Sequence, residues 1–216
     1  MTSHQVRLFF DGALITVLLS ACAMALAVVL GLLLAAARMP SPLGWRRAVS
    51  ALATAYVEVF RGTPVLLQLY VIYFGLASVY ALGPFTAAVL GLGLNYAAYE
   101  AEIYRGGIQA VPVGQIEAAR ALGMSESLVL RRVVLPQAIR FSLPGIANDF
   151  IALLKDSSLV SVITVVELTK RMTIAAVDAG GWAIPGALCA LLYFGMSYPL
   201  SLFARRLEAR LTPGRK

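Results

Sequence analysis

The stretch ALITVLLSACAMALAVVLGLLLAAA, residues 13–37, contains no charged side chain over 25 consecutive positions. A transmembrane helix needs about 20 predominantly apolar residues to cross the hydrocarbon core of a bilayer. The stretch therefore predicts a membrane-spanning helix. The whole chain of 216 residues has the matching composition, with 60% hydrophobic and only 13% charged residues, whereas soluble domains carry about 25% charged residues.

Four further stretches are apolar enough to predict helices of the same kind. They are residues 51–83, 84–99, 141–166 and 179–204. The stretch 141–166 is interrupted by Asp149, Lys155 and Asp156, so it predicts a broken span. The sequence thus predicts an all-α integral membrane protein with about five transmembrane helices in a single domain, residues 1–216.

The basic residues are concentrated in alternate connections between these stretches. Thirteen of the 18 lysines and arginines follow the first stretch, separate the third from the fourth, or follow the last. Cytoplasmic loops carry an excess of lysine and arginine, so we expect the N-terminus outside and the C-terminus in the cytoplasm. This distribution also accounts for the net charge of +7 without nucleic acid as a partner.

A charged, alanine-rich segment, residues 112–136, lies between the third and fourth stretches. Its pattern predicts one helix over residues 116–122 with Gly123 at its C-terminal end. Ser125 is then a suitable N-cap for a second helix, which we expect to end near residue 135 because Pro136 disfavours continuation. A helix with small exposed side chains suits insertion into a groove of a partner. The alternative is a solvated loop whose alanines merely favour helix.

The spacing of Glu117-Ala118-Ala119, Gly123 and Val133-x-Leu135-Pro136 resembles the EAA motif of ABC importer permeases, with Val133 in place of isoleucine. Four other stretches resemble the polar amino acid permeases of that family. They are VFRGTP (59–64), AYEAEIYRGGI (98–108), LPQAIR (135–140) and LLKDSSLVSVI (153–163). The resemblance extends over about residues 14–206.

This resemblance implies a type I ABC importer permease in a bacterial inner membrane, with several spans and several partners. Segment 112–136 would be the cytoplasmic coupling element, in which Glu117, Ala118, Ala119 and Gly123 dock on an ATPase dimer and the helix after Ser125 braces them. The other partners would be a second permease subunit, identical or a sister chain, and an extracytoplasmic substrate-binding protein. ATP and Mg²⁺ would bind the ATPase, since this chain contains no G-x-x-x-x-G-K-[ST] motif.

Charged residues at membrane depth usually face a bundle interior or a water-filled cavity. The candidate residues of a substrate pathway are Glu58, Arg61, Lys155, Asp156, Ser157, Ser158 and Glu167. Asp156 or Glu167 can bind the ammonium of an amino acid, and the remaining cations and hydroxyls can bind its carboxylate. The alternative is internal pairing, for example Glu58 with Arg61. For Asp149, pairing with Arg140 and a position facing the pore both stay open, and we expect Glu100 and Glu102 to pair with Arg105 or the coupling region.

The predicted function is therefore the transmembrane permease subunit of an ATP-driven importer for a polar or charged amino acid. The alternative is an ion-coupled secondary amino acid transporter, because acids such as Glu58 and Asp156 can also bind protons or sodium. No catalytic residue or metal site is expected: the only histidine is His4, and no H-E-x-x-H motif occurs.

Overall fold

A computed structural model describes residues 3–39, 44–77 and 79–211, and all regular structure within these ranges is helical. The α-helices are α1 (Ser3–Ala37), α2 (Gly44–Gly62), α3 (Val65–Tyr70), α4 (Pro84–Gln109), α5 (Val113–Ala121), α6 (Glu126–Val129), α7 (Leu135–Asp156), α8 (Leu168–Asp178) and α9 (Ala183–Leu211). Two π-helical turns, Val71–Gly75 and Leu130–Val134, follow α3 and α6, and a 3₁₀-helix, Ser157–Ile163, follows α7.

The helices occupy the five apolar stretches of the sequence. Among the described residues, His4–Ala37 and Ala183–Leu211 are long and apolar enough to cross a bilayer by length and composition alone. The second stretch is divided between α2 and α3, and α4 carries charged residues near its C-terminal end. The segment after residue 166 contains an additional helix, α8, before α9 begins.

The helical path of the second stretch is interrupted at Thr63 and Pro64, between α2 and α3. Proline has no backbone N–H, so the carbonyl of Phe60 lacks its usual donor four residues later. Two side-chain amides replace that donor: Gln68 Nε2 and Asn95 Nδ2 each donate to the Phe60 carbonyl at 3.0 Å. Gln68 Nε2 also donates to the Thr63 carbonyl at 3.2 Å. The broken backbone is therefore satisfied inside the protein, as a low-dielectric surrounding requires.

Helix α4 is the centre of the fold and packs against α1, α2, α3 and α7. Its contact with α7 is close because Gly107 faces that helix. A Cβ atom at Gly107 would lie 2.7 Å from the carbonyl oxygen of Ala138, closer than such atoms approach. The main core is formed by buried side chains of α1, α4 and α7, among them Leu19, Leu92 and Leu153.

The expectation that Pro136 ends the second helix of segment 112–136 is wrong. Helix α6, the π-helical turn Leu130–Val134 and α7 follow one another without a break. Pro136 lies in the first turn of α7, directly after the π-helical turn. The hydrogen bonds of a π turn span five residues rather than four, so this turn widens the backbone where the proline ring would otherwise clash with the carbonyl of residue 132. The result is one continuous helical segment from Glu126 to Asp156, called the rod below, with the π-helical turn near its start and Pro144 within α7.

The predicted break in the fourth apolar stretch lies at Asp156, the last of the three residues that interrupt it. Helix α7 continues past Asp149 and Lys155 and ends at Asp156. The chain then tightens into the 3₁₀-helix Ser157–Ile163, and Thr164 adopts a left-handed conformation with φ 69°. A β-branched residue in that region is unusual, and it marks the reversal that leads into α8.

The amide of Gln68 offers a test of the interrupted stretch. In Gln68→Leu, Asn95 still donates to Phe60, but the carbonyl of Thr63 loses its side-chain donor. Leaving a buried polar group without a partner costs about 1–3 kcal/mol, so we expect the free energy of unfolding to fall by that amount in detergent. Gln109→Leu is the control, because Gln109 is exposed and should change stability by less than about 0.5 kcal/mol. Equal stability of the two variants would contradict this account.

Candidate functional site

The first candidate site is the segment between α4 and α7. Helix α5 ends in a Schellman motif, in which Gly123 N donates to the Arg120 carbonyl at 2.9 Å and Met124 N donates to the Ala119 carbonyl at 3.2 Å. Gly123 has a φ of 80°, a left-handed conformation that costs a residue with a Cβ atom about 1–2 kcal/mol. The turn therefore depends on glycine at this position.

Two polar contacts join α5 to the rod. Arg120 forms a bidentate ion pair with Glu126, with Nε to Oε1 at 2.7 Å and Nη2 to Oε2 at 2.9 Å. The hydrogen bond from Arg120 lowers the pKa of Glu126 below its ordinary value, so this carboxylate stays ionised at neutral pH. Gln137 of α7 donates to the Gln115 side chain at 2.7 Å. Together these contacts make α5 and the start of the rod a single unit.

An apolar cluster lies beneath these contacts. It contains Val111, Ala119, Val129, Val134 and Ala138. Ala119 is thus an internal packing residue, whereas Glu117, Ala118 and Gly123 face solvent. Ser125 precedes α6 with an extended backbone, but its side chain makes no capping hydrogen bond.

The exposed face of α5 is small and partly apolar. Val113 is 66% exposed and Leu122 is 84% exposed. Between them lie Glu117, Ala118 and Ala121, also exposed. Exposed apolar residues grouped in this way mark interaction surfaces, and no described part of the chain covers them.

The second candidate site is a cavity of about 500 Å³ where α2, α4 and α7 meet. It lies beside the break between α2 and α3. Its lining contains Arg61, Thr63, Pro64, Asn95, Tyr96, Tyr99, Asp149 and Asp156, among other residues. The sequence-predicted Arg61 and Asp156 are therefore brought together here, and Asp149 faces the same space.

Charges of both signs line this cavity. Tyr96 donates a hydrogen bond to Asp156 Oδ2 at 2.8 Å, which orients that carboxylate. The guanidinium carbon of Arg61 lies 5.4 Å from the ring centroid of Tyr99, a cation–π geometry. Asp149 Oδ2 is buried and has no hydrogen-bond partner among the described residues. The cavity thus offers carboxylates for a cation and a guanidinium for an anion.

The other candidate pathway residues lie outside this lining. Glu58 and Lys155 are exposed, and no ion pair joins Glu58 to Arg61 in the described part of the chain. Ser157 is buried and donates to the Leu154 carbonyl at 2.7 Å, and Ser158 is partly buried.

Glu167 is the N-cap of α8. Its carboxylate accepts hydrogen bonds from Thr169 N at 2.8 Å, Lys170 N at 2.7 Å and the Tyr193 hydroxyl at 3.0 Å. These bonds join the start of α8 to α9. The carboxylate therefore has a structural role within the single chain.

The two acids near the end of α4 differ in their surroundings. Glu102 pairs with Arg38 and Arg105, which agrees with the expected Arg105 pairing and adds a link to α1. Glu100 is fully buried, and neither of its carboxylate oxygens has a hydrogen-bond partner among the described residues. The expected pairing of Glu100 with Arg105 or with the coupling region is therefore wrong, because Glu100 points into the bundle.

Sequence reasoning missed the contribution of α4 to the cavity. Asn95, Tyr96 and Tyr99 lie on one face of α4, since positions three and four apart are neighbours on a helix. Asn95 is a polar residue within an otherwise apolar run, which was the available signal. The sequence could not show that Asn95 lies near Arg61 and Asp156, because this proximity depends on how α2 and α7 pack against α4.

Comparisons with known proteins agree on one family. Residues 27–213 match the family described as binding-protein-dependent transport system inner membrane component. A putative glutamine transport system permease protein of Rickettsia bellii is 35% identical over 97% of this chain and 95% of its own length. A nopaline transport system permease protein of Agrobacterium fabrum is 48% identical over 57% of this chain and 56% of its own length.

Solved structures share the fold. The crystal structure of an amino acid ABC transporter with histidines superposes with a TM-score of 0.89 at 40% identity, over 94% of both chains. A methionine ABC transporter in an inward facing conformation superposes with a TM-score of 0.79 at 20% identity, over 98% of this chain and 100% of the other. The arrangement of helices is therefore that of type I ABC importer permeases.

Substitution of two glycines of the first site by alanine should change the stability of α5 in opposite directions. Both Gly114 and Gly123 have open space where a Cβ atom would lie, but only Gly123 has a positive φ. Gly123→Ala should destabilise α5 by about 1 kcal/mol, whereas Gly114→Ala should stabilise it by about 0.4–1 kcal/mol. Hydrogen exchange of the amides of α5 measures both effects. A common sign for the two variants would contradict the assigned turn.

Proposed function

The chain belongs to the family of binding-protein-dependent transport system inner membrane components and is an ABC importer permease subunit, and we propose that it carries a polar or charged amino acid through the cavity between α2, α4 and α7. The observation that carries this proposal is a cavity with charges of both signs at one end of a continuous helical segment whose other end is joined to α5. In this proposal the chain crosses a bacterial inner membrane with five helices, and its C-terminus lies in the cytoplasm.

The chemistry of the cavity suits a zwitterion. An amino acid presents an ammonium and a carboxylate that each lose water on entering a membrane, and a buried charge needs a partner of opposite sign. Asp149 and Asp156 provide two anionic positions, and Arg61 provides a guanidinium able to bind a carboxylate with two hydrogen bonds. With two acids and one base, the cavity accommodates the α-ammonium and, in addition, a cationic side chain.

The coupling step follows from the continuity of the rod. Helix α5 docks on a cytoplasmic ATPase subunit through its small exposed face, to which Glu117, Ala118 and the turn at Gly123 belong, whereas Ala119 packs beneath this face. The Arg120–Glu126 ion pair and the Gln115–Gln137 hydrogen bond transfer displacement of α5 to the rod. Asp149 and Asp156 lie on the same rod, so its movement changes their distance from Arg61 on α2. Closure of the ATPase dimer thereby alternates access to the cavity.

The proposed assembly contains further chains. ATP and Mg²⁺ bind the separate ATPase subunits, so this chain itself catalyses no reaction. A second permease subunit, identical or a sister chain, completes the translocation path, and an extracytoplasmic binding protein delivers the substrate. Membership in a binding-protein-dependent family supports this assembly over the alternative of an ion-coupled secondary transporter.

The cavity acids give a test of the substrate site. Asp149→Asn and Asp156→Asn each remove one negative charge without changing shape, and we expect each to lower uptake by at least about tenfold, since losing one charged hydrogen bond costs about 1.5–3 kcal/mol. Asp178→Asn is the matched control, because Asp178 is exposed at the end of α8. Uptake of a panel of labelled amino acids into proteoliposomes, with ATPase and binding protein supplied, measures the effect. Wild-type uptake by both cavity variants would refute the site.

The face of α5 gives an independent test of coupling. Glu117→Lys reverses one charge on this face, and we expect it to insert normally but to lose ATPase association and at least about 90% of uptake, because like charges across an interface cost several kcal/mol. Glu208→Lys makes the same change on the exposed end of α9 and should leave uptake unchanged. Co-purification of the ATPase with each variant provides the measurement. If both variants associate equally with the ATPase, α5 is not part of the interface.

A further inference from the structure

Helix α4 contains a buried acid, Glu100, that belongs to neither candidate site. Five buried side-chain polar atoms in the described part of the chain lack a hydrogen-bond partner, and four of them belong to Glu100, Tyr104 and Asp149. Buried polar atoms are hydrogen-bonded in the large majority of cases, so these exceptions need an explanation. We propose that Glu100 is a further specificity-determining residue, which is held as a neutral acid beside Asp149 and gives up its proton when a cationic side chain of the substrate lies next to Asp149. This assignment rests on the function proposed above for the cavity.

Glu100 lies beyond the cavity on the same face of α4. Tyr96 lines the cavity and donates to Asp156. Glu100 follows Tyr96 by four positions, about 6 Å along the helix axis, and therefore shares its face. On α7, Asp149 precedes Asp156 by seven positions, or about two turns, and Asp149 interacts electrostatically with Glu100. The pair of Glu100 and Asp149 thus lies next to the pair of Tyr96 and Asp156, and a long side chain of a substrate bound at Asp156 can extend to it.

The immediate surroundings of Glu100 contain no positive charge. Its exposure is 0%, and α1 covers its stem, because a Cβ atom at Gly31 would lie 2.6 Å from the Cβ of Glu100. Residues 13–37 of α1 include no charged side chain. The hydroxyl of Tyr104, one turn further along α4, interacts electrostatically with Glu100 but forms no hydrogen bond. A carboxylate buried without a partner is so costly that such a group is protonated instead.

Cations on the neighbouring helices do not neutralise Glu100. Those near the end of α4, Arg38 and Arg105, pair with Glu102. Other charged residues of α2 and α7 are exposed, namely Glu58, Arg61, Arg140 and Lys155. Within the described part of the chain, Asp149 is therefore the charged group that interacts with Glu100.

A cationic side chain supplies what this pair lacks. Arg61 and Asp156 match the α-carboxylate and the α-ammonium that every amino acid carries. When the side chain is neutral, Glu100 keeps its proton, because two like charges close together disfavour ionisation. When the ammonium of lysine or the guanidinium of arginine lies beside Asp149, a second carboxylate gains a partner. The O–H bond of Glu100 then breaks, the electron pair stays on the carboxylate, and the proton leaves to solvent by way of the cavity.

Movement of the rod gives the side chain access to Glu100. Asp149 lines the cavity, whereas Glu100 is fully buried and does not. In the proposed coupling α7 moves relative to the other helices, which changes the distance between Asp149 and Glu100. The close contact of α1 at Gly31 leaves no space on the other side. The pair therefore opens toward the cavity.

Calorimetry of the permease–ATPase complex in nanodiscs tests the exchange. Arginine and glutamine are titrated at neutral pH, without the binding protein, in two buffers that differ in ionisation enthalpy, so that both the affinity and the proton release are obtained. For the wild type we expect arginine to bind at least about tenfold more tightly than glutamine, because a charged hydrogen bond is gained. We expect roughly one proton to leave per arginine and none per glutamine, because the pair loses a single proton. Arginine binding without proton release would overturn the inference, and so would the absence of arginine binding.

Glu100→Gln keeps the shape of the neutral acid but has no proton to give up. We expect proton release with arginine to vanish and the ratio of the arginine and glutamine affinities to fall at least about tenfold. Glu208→Gln, on the exposed end of α9, is the matched control and should retain both. A merely structural role of Glu100 would lower both affinities together and leave their ratio unchanged, which would contradict the assignment. The wild-type titration decides the outcome if Glu100→Gln fails to fold.

The length of the side chain gives a second readout on the wild type. Lysine, ornithine and 2,4-diaminobutyrate carry the same charge on successively shorter side chains. Because Glu100 lies about 6 Å beyond Tyr96 along α4, we expect affinity and proton release to decline in this order. Equal values for all three would show that the cation does not extend to Glu100.

Two cavity variants separate a failure of the proposed function from a failure of this assignment. If Asp149→Asn and Asp156→Asn both bind arginine as the wild type does, the cavity is not the substrate site. If they lose binding while Glu100→Gln still releases a proton with arginine, only the role of Glu100 is refuted.

Discussion

The carbonyl of Phe60 is the constraint on which the centre of this structure depends. Pro64 removes its backbone donor, and the interior of a membrane protein offers no bulk water as a substitute. The amides of Gln68 and Asn95 supply the missing hydrogen bonds at 3.0 Å, and Asn95 also donates to the Gln68 side chain at 3.0 Å. This network joins α2, α3 and α4 at the break. The cavity beside it can therefore persist without the bundle collapsing into it.

The two candidate sites lie at the two ends of one continuous helical segment. Helix α4 is in contact with the broken stretch on one side and with α7 on the other. The rod that contains α7 begins beside α5 and ends at Asp156, whose carboxylate accepts a hydrogen bond from Tyr96 of α4. In the proposed coupling, a displacement that enters at α5 reaches the cavity along this helix and changes the contacts there, because closely packed helices do not deform continuously.

Several features were predictable because they depend on residues close together in sequence. The break at Pro64 follows from the missing N–H of proline, and the turn at Gly123 follows from the preference of glycine for a positive φ. A prediction from a single residue type failed where the backbone beside that residue changed the outcome. Pro136 does not end its helix, because the π-helical turn before it relieves the clash. Glu167 stays a predicted pathway acid, and its carboxylate also caps α8, a helix that the composition of this segment had not revealed.

The sequence by itself determined the membrane class, the approximate helical stretches, the resemblance of segment 112–136 to a coupling element and two of the charges at the cavity. These properties depend only on composition, on the spacing of residues and on the conformational preferences of single residues. Only the tertiary structure decided that Asn95, Tyr96 and Asp149 join Arg61 and Asp156, and that Glu58 and Lys155 lie outside. The physical reason is that the cavity is formed by three helices far apart in sequence. Which faces of these helices meet depends on close contacts such as that of Gly107 with Ala138, which no local pattern reports.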